Sequence, residues 1–372
     1  MALSKIDSDG IVSGGITADS LNIGQIGGRR NLIINGAMVI DQRNAGASYT
    51  QVNAAYNLDR WAGNSFDGGA AASKFSVQQS STAPTGFSTS LLVTSLAATA
   101  DSASNIFNIE QKIEGFNSAY LMFGTANAKT ITMSFWVRSS LTGTFGGAIK
   151  NSARNRAYPF TYTINSADTF EHKTITIAGD TSGTWIGSTN GTGLWLSFGL
   201  GVGSTYSGTA NAWGAGDLFS ATGATSVVGT NGATFYITGV QLEVGSVATP
   251  FEHRSYGEEL AACQRYYQVI ASGYGETIGT GYFESTGVAV CPTRFMTTMR
   301  ATPSLHSGTG TNAYYMYSQG SGVDYFNNLT GTAFGVSGAT VYTSSNVTGT
   351  AGQAGRMVTE NSNGFVAFSA EL

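Results

Sequence analysis

Short stretches in which apolar and polar residues alternate recur along most of the chain. Residues 129–140 (KTITMSFWVRSS) place Ile131, Met133, Phe135 and Val137 on one face, which is the period of two of a half-buried β-strand. Similar runs, separated by Gly, Asn and Ser clusters, are KFSVQQS, LLVTSL, NIFNIEQKI, PFTYTI, HKTITIAG, LWLSFGLGVG and ATFYITGVQLEV. Many strands without helices between them predict an all-β fold, an antiparallel sandwich or barrel.

One short segment has a helical pattern instead. Ser255 can cap a helix, and Glu258 lies three residues after it, the spacing of a capping box. A helix this short is not stable alone, so it must pack on its own domains or on copies of itself. The sequence leaves a docked connector and a trimeric bundle open. Apolar steps of four, three and four residues provide the candidate trimer interface: Tyr256, Leu260, Cys263 and Tyr267.

The pattern divides the chain into four segments. We predict an N-terminal arm at 1–30, a β domain at 31–254, a connecting helix at 255–270 and a second β domain at 271–372. The arm alternates single apolar residues with Gly, Ser and Asp, and it is too sparse to form its own core, so it needs a partner. Its apolar positions include Ile6, Ile11, Ile16 and Leu21.

Composition narrows the class of protein further. The chain has 50 Gly residues and only 11% charged residues, which argues against long amphipathic helices. With a net charge of −4 it has no basic stripe, so we expect no nucleic-acid partner. The start MALSKIDSDG lacks the pattern of a signal peptide, and no long apolar stretch predicts membrane insertion. Synthesis in a cytoplasm is therefore expected.

Candidate chemistry is sparse. His172, His253 and His306 stand far apart without metal-ligand spacing, and no Gly-x-Ser-x-Gly or Walker motif occurs. Glu243 could ligate calcium, but a carboxylate satisfied by protein donors is favoured. We therefore predict no enzyme activity, no metal and no cofactor. Cleavage of a glycan would need two carboxylates about 5–9.5 Å apart. The C-terminal domain offers Glu276, Glu284, Asp324 and Glu360.

Two stretches of the first β domain resemble a known family. Residues 31–38 (NLIINGAM), followed by 41–43 (DQR) and 58–61 (LDRW), resemble the jelly-roll modules of bacteriophage tail-fibre proteins, which are similar to carbohydrate-binding jelly rolls. Residues 239–252 (GVQLEVGSVATPFE), leading into 258–267 (EELAACQRYY), strengthen the resemblance. It implies a jelly-roll sandwich, one short connecting helix, a second β-sandwich tip and a trimer.

The resemblance extends into the second β domain. Residues 297–303 (TTMRATP) and the terminal Ala-Glu-Leu look like the opening and closing of a fibre tip, whereas 304–364 does not share in this resemblance. The resemblance implies a homotrimeric virion protein, made in the host cytoplasm. Its arm would anchor to a virion tail or adaptor protein through Ile6, Ile11, Ile16 and Leu21, and its tip would adhere to a host surface glycan or protein.

Aromatic residues gather in one stretch of the tip. Residues 312–326 (NAYYMYSQGSGVDYF) are interrupted by Gly and contain few aliphatic residues. Aromatic side chains with a polar group suit contact with sugars and proteins. The alternative is two strands whose Tyr residues form the core of a small sandwich. The candidate receptor contacts are Tyr314, Tyr315, Tyr317, Asp324, Tyr325 and Phe326.

Three functions from different classes remain. The preferred one is adhesion by a multivalent tail fibre, in which several weak contacts act together. The second is a glycan-depolymerising fibre that uses tip carboxylates. The third is a cellular carbohydrate-binding adhesin, which would ordinarily carry an export signal. Trp185, Trp195 and Trp213 could stack on sugars, although packing in the core is favoured for each.

Overall fold

The computed structural model describes residues 29–319 and 322–372. The chain divides into two compact units, one that ends at Arg254 and one that comprises Ser255–Leu372. Ile6, Ile11, Ile16 and Leu21 lie outside the described residues, so their anchoring role stays a prediction. In the described ranges no helix has both the length and the apolar character to cross a bilayer.

The first unit consists of strands and one short helical turn. The turn comprises Gly115–Ser118 and a 3-10 continuation at Ala119–Leu121. In chain order the strands are β1 (Tyr49–Thr50), β2 (Ala55–Leu58), β3 (Trp61–Asp67), β4 (Ala70–Ala71), β5 (Phe75–Ser80), β6 (Ser90–Ser95), β7 (Ile106–Glu114), β8 (Ile131–Ser139), β9 (Gly143–Asn151), β10 (Arg156–Ile164), β11 (Glu171–Ile177), β12 (Thr192–Val202), β13 (Ser207–Gly208), β14 (Gly214–Ala215), β15 (Ser220–Ala221) and β16 (Thr234–Val244).

Fourteen of these strands form two facing sheets, and the short strands β13 and β15 pair with each other in parallel. One has six strands in the order β1-β5-β6-β16-β8-β11, and the other has eight, in the order β14-β10-β9-β12-β7-β3-β2 with β4 beside β3. Apolar positions of both sheets meet between them. The ring of Phe135 on β8 lies 5.1 Å from Phe198 on β12 and 5.0 Å from Tyr162 on β10. The all-β, antiparallel jelly-roll prediction is therefore confirmed.

The Asn31 side chain closes one end of the sandwich. Its Nδ2 donates to the Val240 carbonyl at 3.0 Å, and its Oδ1 accepts from the Ile33 amide at 2.9 Å and the Leu242 amide at 3.0 Å. These buried bonds tie the start of the unit to its last strand. The stretches at 31–38 and 239–252 that carry the family resemblance therefore contact each other in the fold.

Glu252 reinforces this closure. Its carboxylate accepts hydrogen bonds from the Arg30 and Asn31 amides at 2.9 and 3.0 Å, and it pairs with Arg254 at 2.9 Å. Burial raises the pKa of this carboxyl, but the amide bonds and Arg254 outweigh burial and hold it below its usual range. The first described residues of this unit and its last residues therefore lie side by side.

Asn35 fixes the next turn. It has a left-handed φ of 57° and is fully buried. Its Nδ2 donates to the carbonyls of Ile40 at 2.8 Å and Asp59 at 2.9 Å, and its own carbonyl accepts from Trp61 Nε1 at 3.1 Å. Trp61 is 1% exposed, so the tryptophan of the stretch at 58–61 is a core residue.

The second unit begins with a helix and continues in strands. The helix comprises Tyr256–Gln264. The strands are β17 (Tyr267–Ser272), β18 (Thr277–Ser285), β19 (Val288–Arg294), β20 (Ser304–Ser307), β21 (Tyr314–Ser318), β22 (Gly322–Phe326), β23 (Thr330–Gly335), β24 (Gly338–Thr343), β25 (Ala354–Thr359) and β26 (Phe365–Ser369).

Two antiparallel sheets build this unit as well. One has the order β17-β26-β20, and the other has the order β22-β21-β25-β18-β19-β24-β23. Phe368 of the smaller sheet packs with Phe334 of the larger one, with ring centroids 6.4 Å apart. Cys263 and Cys291 are both buried, and they are not joined in a disulfide. Burial raises the pKa of Cys291 to about 11, so its thiol stays protonated at neutral pH.

The helix differs from the predicted trimer seam. The capping box is present, since Ser255 Oγ accepts from the Glu258 amide and the Glu258 carboxylate accepts from the Ser255 amide. The helix ends at Gln264, however, and Tyr267 begins β17, where it pairs with Ser369. The adjacent aromatic residues Tyr266 and Tyr267, and the strand-like pattern that follows them, favour a strand there. The prediction of one helix through residue 270 is therefore wrong.

Burial further corrects the proposed interface residues. Cys263 is 0% exposed and Tyr267 is 5% exposed, so neither side chain is accessible to form a subunit interface as placed. Leu260 is half-buried, whereas Tyr256 is 64% exposed. Only Tyr256 and Leu260 of the four therefore remain candidates, and the trimer stays a prediction.

Candidate functional site

A groove of about 400 Å³ lies on the outward face of the eight-stranded sheet. This volume is in the usual range for small-molecule sites. Its lining mixes amide, charged and aromatic side chains: Asn53, Ala54, Asn64, Phe66, Gly69, Ser104, Ile106, Glu110, Lys112, Arg154, Trp195, Tyr206 and Phe219.

Strand β7 provides the middle of the groove through its alternation. Phe107 and Ile109 belong to the core between the sheets. Asn108, Glu110 and Lys112 alternate with them and therefore lie on the outward face. The inner positions of β7 are apolar except Gln111, and the outer positions 108, 110 and 112 are amide, acidic and basic, so the strand is well suited to form the floor of a polar site.

Three side chains lie side by side across neighbouring strands. Trp195 on β12 is in register with Lys112 on β7 and with Lys150 on β9. Residues opposite one another on adjacent antiparallel strands share a face, so the indole stands between two ammonium groups. The Lys112 and Lys150 Nζ atoms lie 4.4 and 4.8 Å from its ring centroid. These cation–π contacts hold the indole in place.

The floor beside Trp195 is a connected polar network. Asn64 Nδ2 donates to Asn108 Oδ1 at 3.0 Å, and Asn108 Nδ2 donates to Glu110 Oε2 at 3.1 Å and to Ser197 Oγ at 2.8 Å. All four side chains belong to buried residues. Because a buried, mutually bonded network moves little, it preorganises Asn64 and Glu110, the two members that line the groove.

A segment around Asp217 and Phe219 covers one side of the groove. Asp217 pairs with Lys150 at 2.8 Å and also with Arg154. The Phe219 ring lies over Lys150 Nζ, and its carbonyl accepts from Ser197 Oγ at 3.2 Å. Burial lowers the pKa of Lys150 to about 8, although Asp217 opposes this shift. The ion pairs and these contacts hold the segment on the sheet.

Arg154 stands at the edge of the groove in an unusual backbone conformation. Its φ is 57°, in the tight turn between β9 and β10, where its amide donates to the Asn151 carbonyl at 3.1 Å. The guanidinium carbon lies 5.7 Å from the centroid of Trp195 and 5.8 Å from that of Phe219. Its side chain is 47% exposed, so it remains accessible to a ligand.

The arrangement can hold a flat, hydroxyl-rich ring. An indole offers an apolar face for ring C–H groups, while amides and a carboxylate accept and donate hydrogen bonds around it. Trp195 Nε1 is itself buried and has no hydrogen-bond partner among the described residues. A buried donor without a partner is unusual in a native protein and is consistent with a functional site.

The histidines and Glu243 do not assemble into a metal site. In ranges 29–319 and 322–372, no group of three His, Cys, Asp or Glu side chains could hold an ion. His172 packs against Trp136, and His306 packs against Tyr267. Glu243 accepts from the Thr249 amide at 2.9 Å and hydroxyl at 2.7 Å, as expected for a carboxylate satisfied by protein donors.

Two of the predicted receptor contacts lie in the core of the second unit. Tyr314 and Phe326 are both 0% exposed, and their rings stack at 5.6 Å. The Tyr314 hydroxyl donates to the carbonyls of Gly308 at 2.9 Å and Phe365 at 2.7 Å. Because these hydrogen bonds satisfy its hydroxyl group, Tyr314 can be buried in an apolar core. The prediction that Tyr314 and Phe326 contact a receptor is wrong.

The other aromatic candidates lie on the opposite face of the same hairpin. Tyr315 is half-buried and pairs with Tyr325, while Tyr317 and Tyr325 are 44% and 41% exposed. Arg356 lies over the Tyr317 ring at 5.5 Å. Asp324 is half-buried, and its Oδ2 has no hydrogen-bond partner among the described residues. Strand alternation therefore divides the six candidates between two faces.

The three candidate tryptophans have different environments. Trp185 and Trp213 pack edge-on with Phe123, at 4.9 and 5.7 Å, and with each other at 5.5 Å. Their indole nitrogens donate to Asp180 Oδ2 at 3.2 Å and to the Ala178 carbonyl at 2.7 Å. Trp185 and Trp213 therefore have structural contacts, and of the three tryptophans only Trp195 lines the groove.

The sequence argument missed Asn108, Glu110 and Lys112. It treated their segment only as a strand. The signal was present, because three polar residues of different chemistry occupy every second position of the strand, and the positions between them are apolar except Gln111. Arg154 gave no comparable signal, since nothing in the local sequence shows that its turn faces Trp195.

Comparisons with known proteins give similarity of fold only. No protein-family model matches the chain, and no curated protein sequence matches it. Similar solved structures include the enzymatically active domain of tailspike protein 4 from bacteriophage CBA120, with 14% identity over 57% of this chain and 21% of that chain and a TM-score of 0.31. The chain thus spans about a fifth of that tailspike.

Two carbohydrate-binding modules are also similar in structure. A family 11 module from Clostridium thermocellum, solved with a β-1,3-1,4-mixed-linked tetrasaccharide, is 12% identical over 55% of this chain and 100% of its own, with a TM-score of 0.29. A family 61 module, solved with β-1,4-galactotriose, is 10% identical over 58% of this chain and 99% of its own, with a TM-score of 0.28. At this level of similarity they do not indicate a ligand for this chain.

Proposed function

We propose that the protein binds carbohydrate in the groove of its first unit. The observation that carries the proposal is the position of Trp195 beside a buried network of amides and a carboxylate. Sugars combine an apolar ring face with a rim of hydroxyl groups. The groove offers a matching surface for both, an indole for stacking and the lining residues Asn64 and Glu110 for hydrogen bonding.

The site favours binding of a chain rather than full enclosure of a small molecule. It lies on the face of a sheet, and its lining comes from several strands and loops far apart in sequence. A single shallow contact of this kind is weak. Several copies of the protein on one particle would raise the overall strength of attachment without any stronger contact at each site.

Replacing Glu110 by Gln tests this proposal in the full-length chain. We expect roughly tenfold weaker binding to any soluble polysaccharide that the wild type retards in affinity electrophoresis, because a carboxylate accepts stronger hydrogen bonds from hydroxyls than an amide. Glu171→Gln is the matched control, since Glu171 also accepts from an Asn side chain but lies on β11 of the other sheet. Equal losses in both variants, or none in either, would argue against the groove.

We further propose that this carbohydrate binding serves adhesion of a bacteriophage tail fibre to its host. The support is the sequence resemblance at residues 31–38 and 239–252. On this proposal the protein is a trimeric virion component made in the host cytoplasm, held to a tail or adaptor protein by its arm. It acts by binding alone, without cleaving the glycan. A cellular carbohydrate-binding adhesin is the alternative role for the same groove.

A second contact in the tip is proposed from the exposed aromatic face of β21 and β22. Tyr317 and Tyr325 point away from the core, and Arg356 adds a positive charge beside Tyr317. Such side chains give a receptor contact area at low cost in conformational entropy. They are the part of the predicted receptor site that the fold leaves accessible.

Cell binding by a Tyr317→Ala variant tests the fibre and tip proposals together. We expect several-fold weaker binding to host cells with unchanged thermal stability, because truncation of an exposed side chain hardly affects folding. Tyr274→Ala, at a residue that is 79% exposed and outside β21 and β22, is the control. Light scattering should give a trimer for all three proteins. A mass near the 38.6 kDa of one chain, or equal cell binding by both variants, would contradict the respective proposal.

A further inference from the structure

We propose that the carbohydrate of the groove is an acidic one, and that Arg154 pairs with its carboxylate while the sugar ring stacks on Trp195. This inference rests on the proposed carbohydrate binding and adds the chemical class of the ligand. It follows from three observations, which are the backbone at Arg154, the donors of its guanidinium group and the charges around the groove.

The backbone conformation of Arg154 indicates that its side chain has a role at this position. A φ of 57° is rare for residues other than Gly, Asn and Asp, and a long side chain there costs conformational energy. The turn between β9 and β10 would be satisfied by Gly at lower cost. What Arg adds is a guanidinium group above the indole of Trp195, at 5.7 Å from its centroid.

Most donors of this guanidinium group remain available. Within the described residues, its one side-chain hydrogen bond goes to Asp217. A guanidinium group carries several N–H donors in one plane, in a fork that matches the two oxygens of a carboxylate. With 47% of the side chain exposed, this fork can take a second carboxylate from the ligand.

The charges near the groove also favour an anion. Lys150 and Arg154 share the single carboxylate of Asp217, and Lys112 places a further ammonium group 4.4 Å from the Trp195 ring. Glu110 is the only carboxylate among the residues that line the described groove. This local positive excess contrasts with the net charge of −4 of the whole chain.

The geometry suits a uronic acid in particular. In a hexuronic acid the carboxylate is attached directly to the sugar ring. When the ring stacks on an indole, the carboxylate therefore lies at the ring edge, in the plane of the stack. Arg154 is near this position, because its guanidinium carbon lies 5.7 Å from the Trp195 ring centroid and 5.8 Å from that of Phe219. Neutral sugars would leave its remaining donors to water.

The test compares matched pairs of polymers with the full-length protein. The probes are polygalacturonate and alginate, each in its native form and after chemical reduction of its carboxyl groups to alcohols, with neutral mixed-linkage β-glucan in addition. We expect at least roughly tenfold weaker binding to the reduced forms. Binding to the native forms should also weaken between about 50 and about 500 mM NaCl, because salt screens exposed charge pairs.

Variants separate charge from fold. Arg154→Gln should lose roughly tenfold in affinity for the native acidic polymers and little for the reduced ones. Arg154→Gly should behave alike while it relieves the backbone, so a thermal midpoint at or above that of Arg154→Gln excludes misfolding as the cause. Arg138→Gln is the control, because Arg138 also pairs with a carboxylate, Asp168 at 3.1 Å, and contacts an aromatic ring, but belongs to the other sheet.

The outcomes distinguish this inference from the proposed function. Equal binding to native and reduced polymers, or tight binding to β-glucan without an effect of Arg154→Gln, overturns the acidic class and leaves carbohydrate binding intact. Absence of binding to every polymer contradicts both. Loss of acidic-polymer binding in Arg138→Gln as large as in Arg154→Gln would point to net charge rather than to the groove.

Discussion

Replacing Trp195 by alanine is expected to weaken polysaccharide binding by roughly thirty- to a hundredfold. The indole supplies the apolar surface of the groove, and the Nζ atoms of Lys112 and Lys150 lie 4.4 and 4.8 Å from its ring centroid. Removing it leaves two ammonium groups with less to pack against and no surface for a sugar ring. Isothermal titration calorimetry with the best polymer of the panel measures the loss.

A matched variant shows whether this loss is specific. Trp136 lies on β8 of the other sheet, is half-buried and packs against His172 at 5.2 Å. Trp136→Ala also removes an indole of intermediate exposure, but from the six-stranded sheet, which does not carry the groove. Unchanged binding by Trp195→Ala, or an equal loss in Trp136→Ala, would mean that the groove is not the binding site.

Asn35→Ala is expected to lower the free energy of unfolding of the first unit by about 3–5 kcal/mol. The Asn35 amide donates to the carbonyls of Ile40 and Asp59, and its Oδ1 accepts from the Ile40 amide at 3.0 Å. Alanine leaves these buried groups without partners and retains a left-handed φ of 57° that suits it poorly. Urea unfolding followed by tryptophan fluorescence measures the change.

The chain is well arranged for this measurement. All five Trp residues, Trp61, Trp136, Trp185, Trp195 and Trp213, belong to the first unit, so their fluorescence reports on that unit alone. Asn35→Gly separates the two causes, because it relieves the backbone and still loses the hydrogen bonds. It should be about 1 kcal/mol more stable than Asn35→Ala. A loss below about 1 kcal/mol in Asn35→Ala would show that this motif does not stabilise the fold.

The contacts of Asn31 and Asn35 bear on the family resemblance. The resemblance rests on residues 31–38, 58–61 and 239–252, and the structure uses all three stretches to close the sandwich. They explain why related sequences would share a fold. They do not face the groove, so they carry no information about the ligand.

The local pattern of the sequence was sufficient for the class of fold. Alternation in segments such as 129–140 predicted strands, and β8 comprises Ile131–Ser139 with its apolar side chains buried. The low charge and high glycine content argued against long helices, and the longest helix in residues 29–319 and 322–372 has 9 residues. These predictions succeeded because strand periodicity and turn chemistry act between residues that are close in sequence. The helix was predicted too long, since strand pairing of Tyr267 with Ser369 competes with helix formation.

Which face of a strand is covered depended on tertiary structure alone. Tyr314 and Tyr315 are neighbours of the same type, yet one is fully buried and the other lies on the outer face, because the second sheet covers only one side. The groove likewise joins Glu110, Arg154 and Trp195, which are distant in sequence. The sequence alone was sufficient to predict that the chain contains strands with polar outer positions. Only non-local strand pairing and the covering segment decided which of those positions meet, since periodicity contains no information about partners.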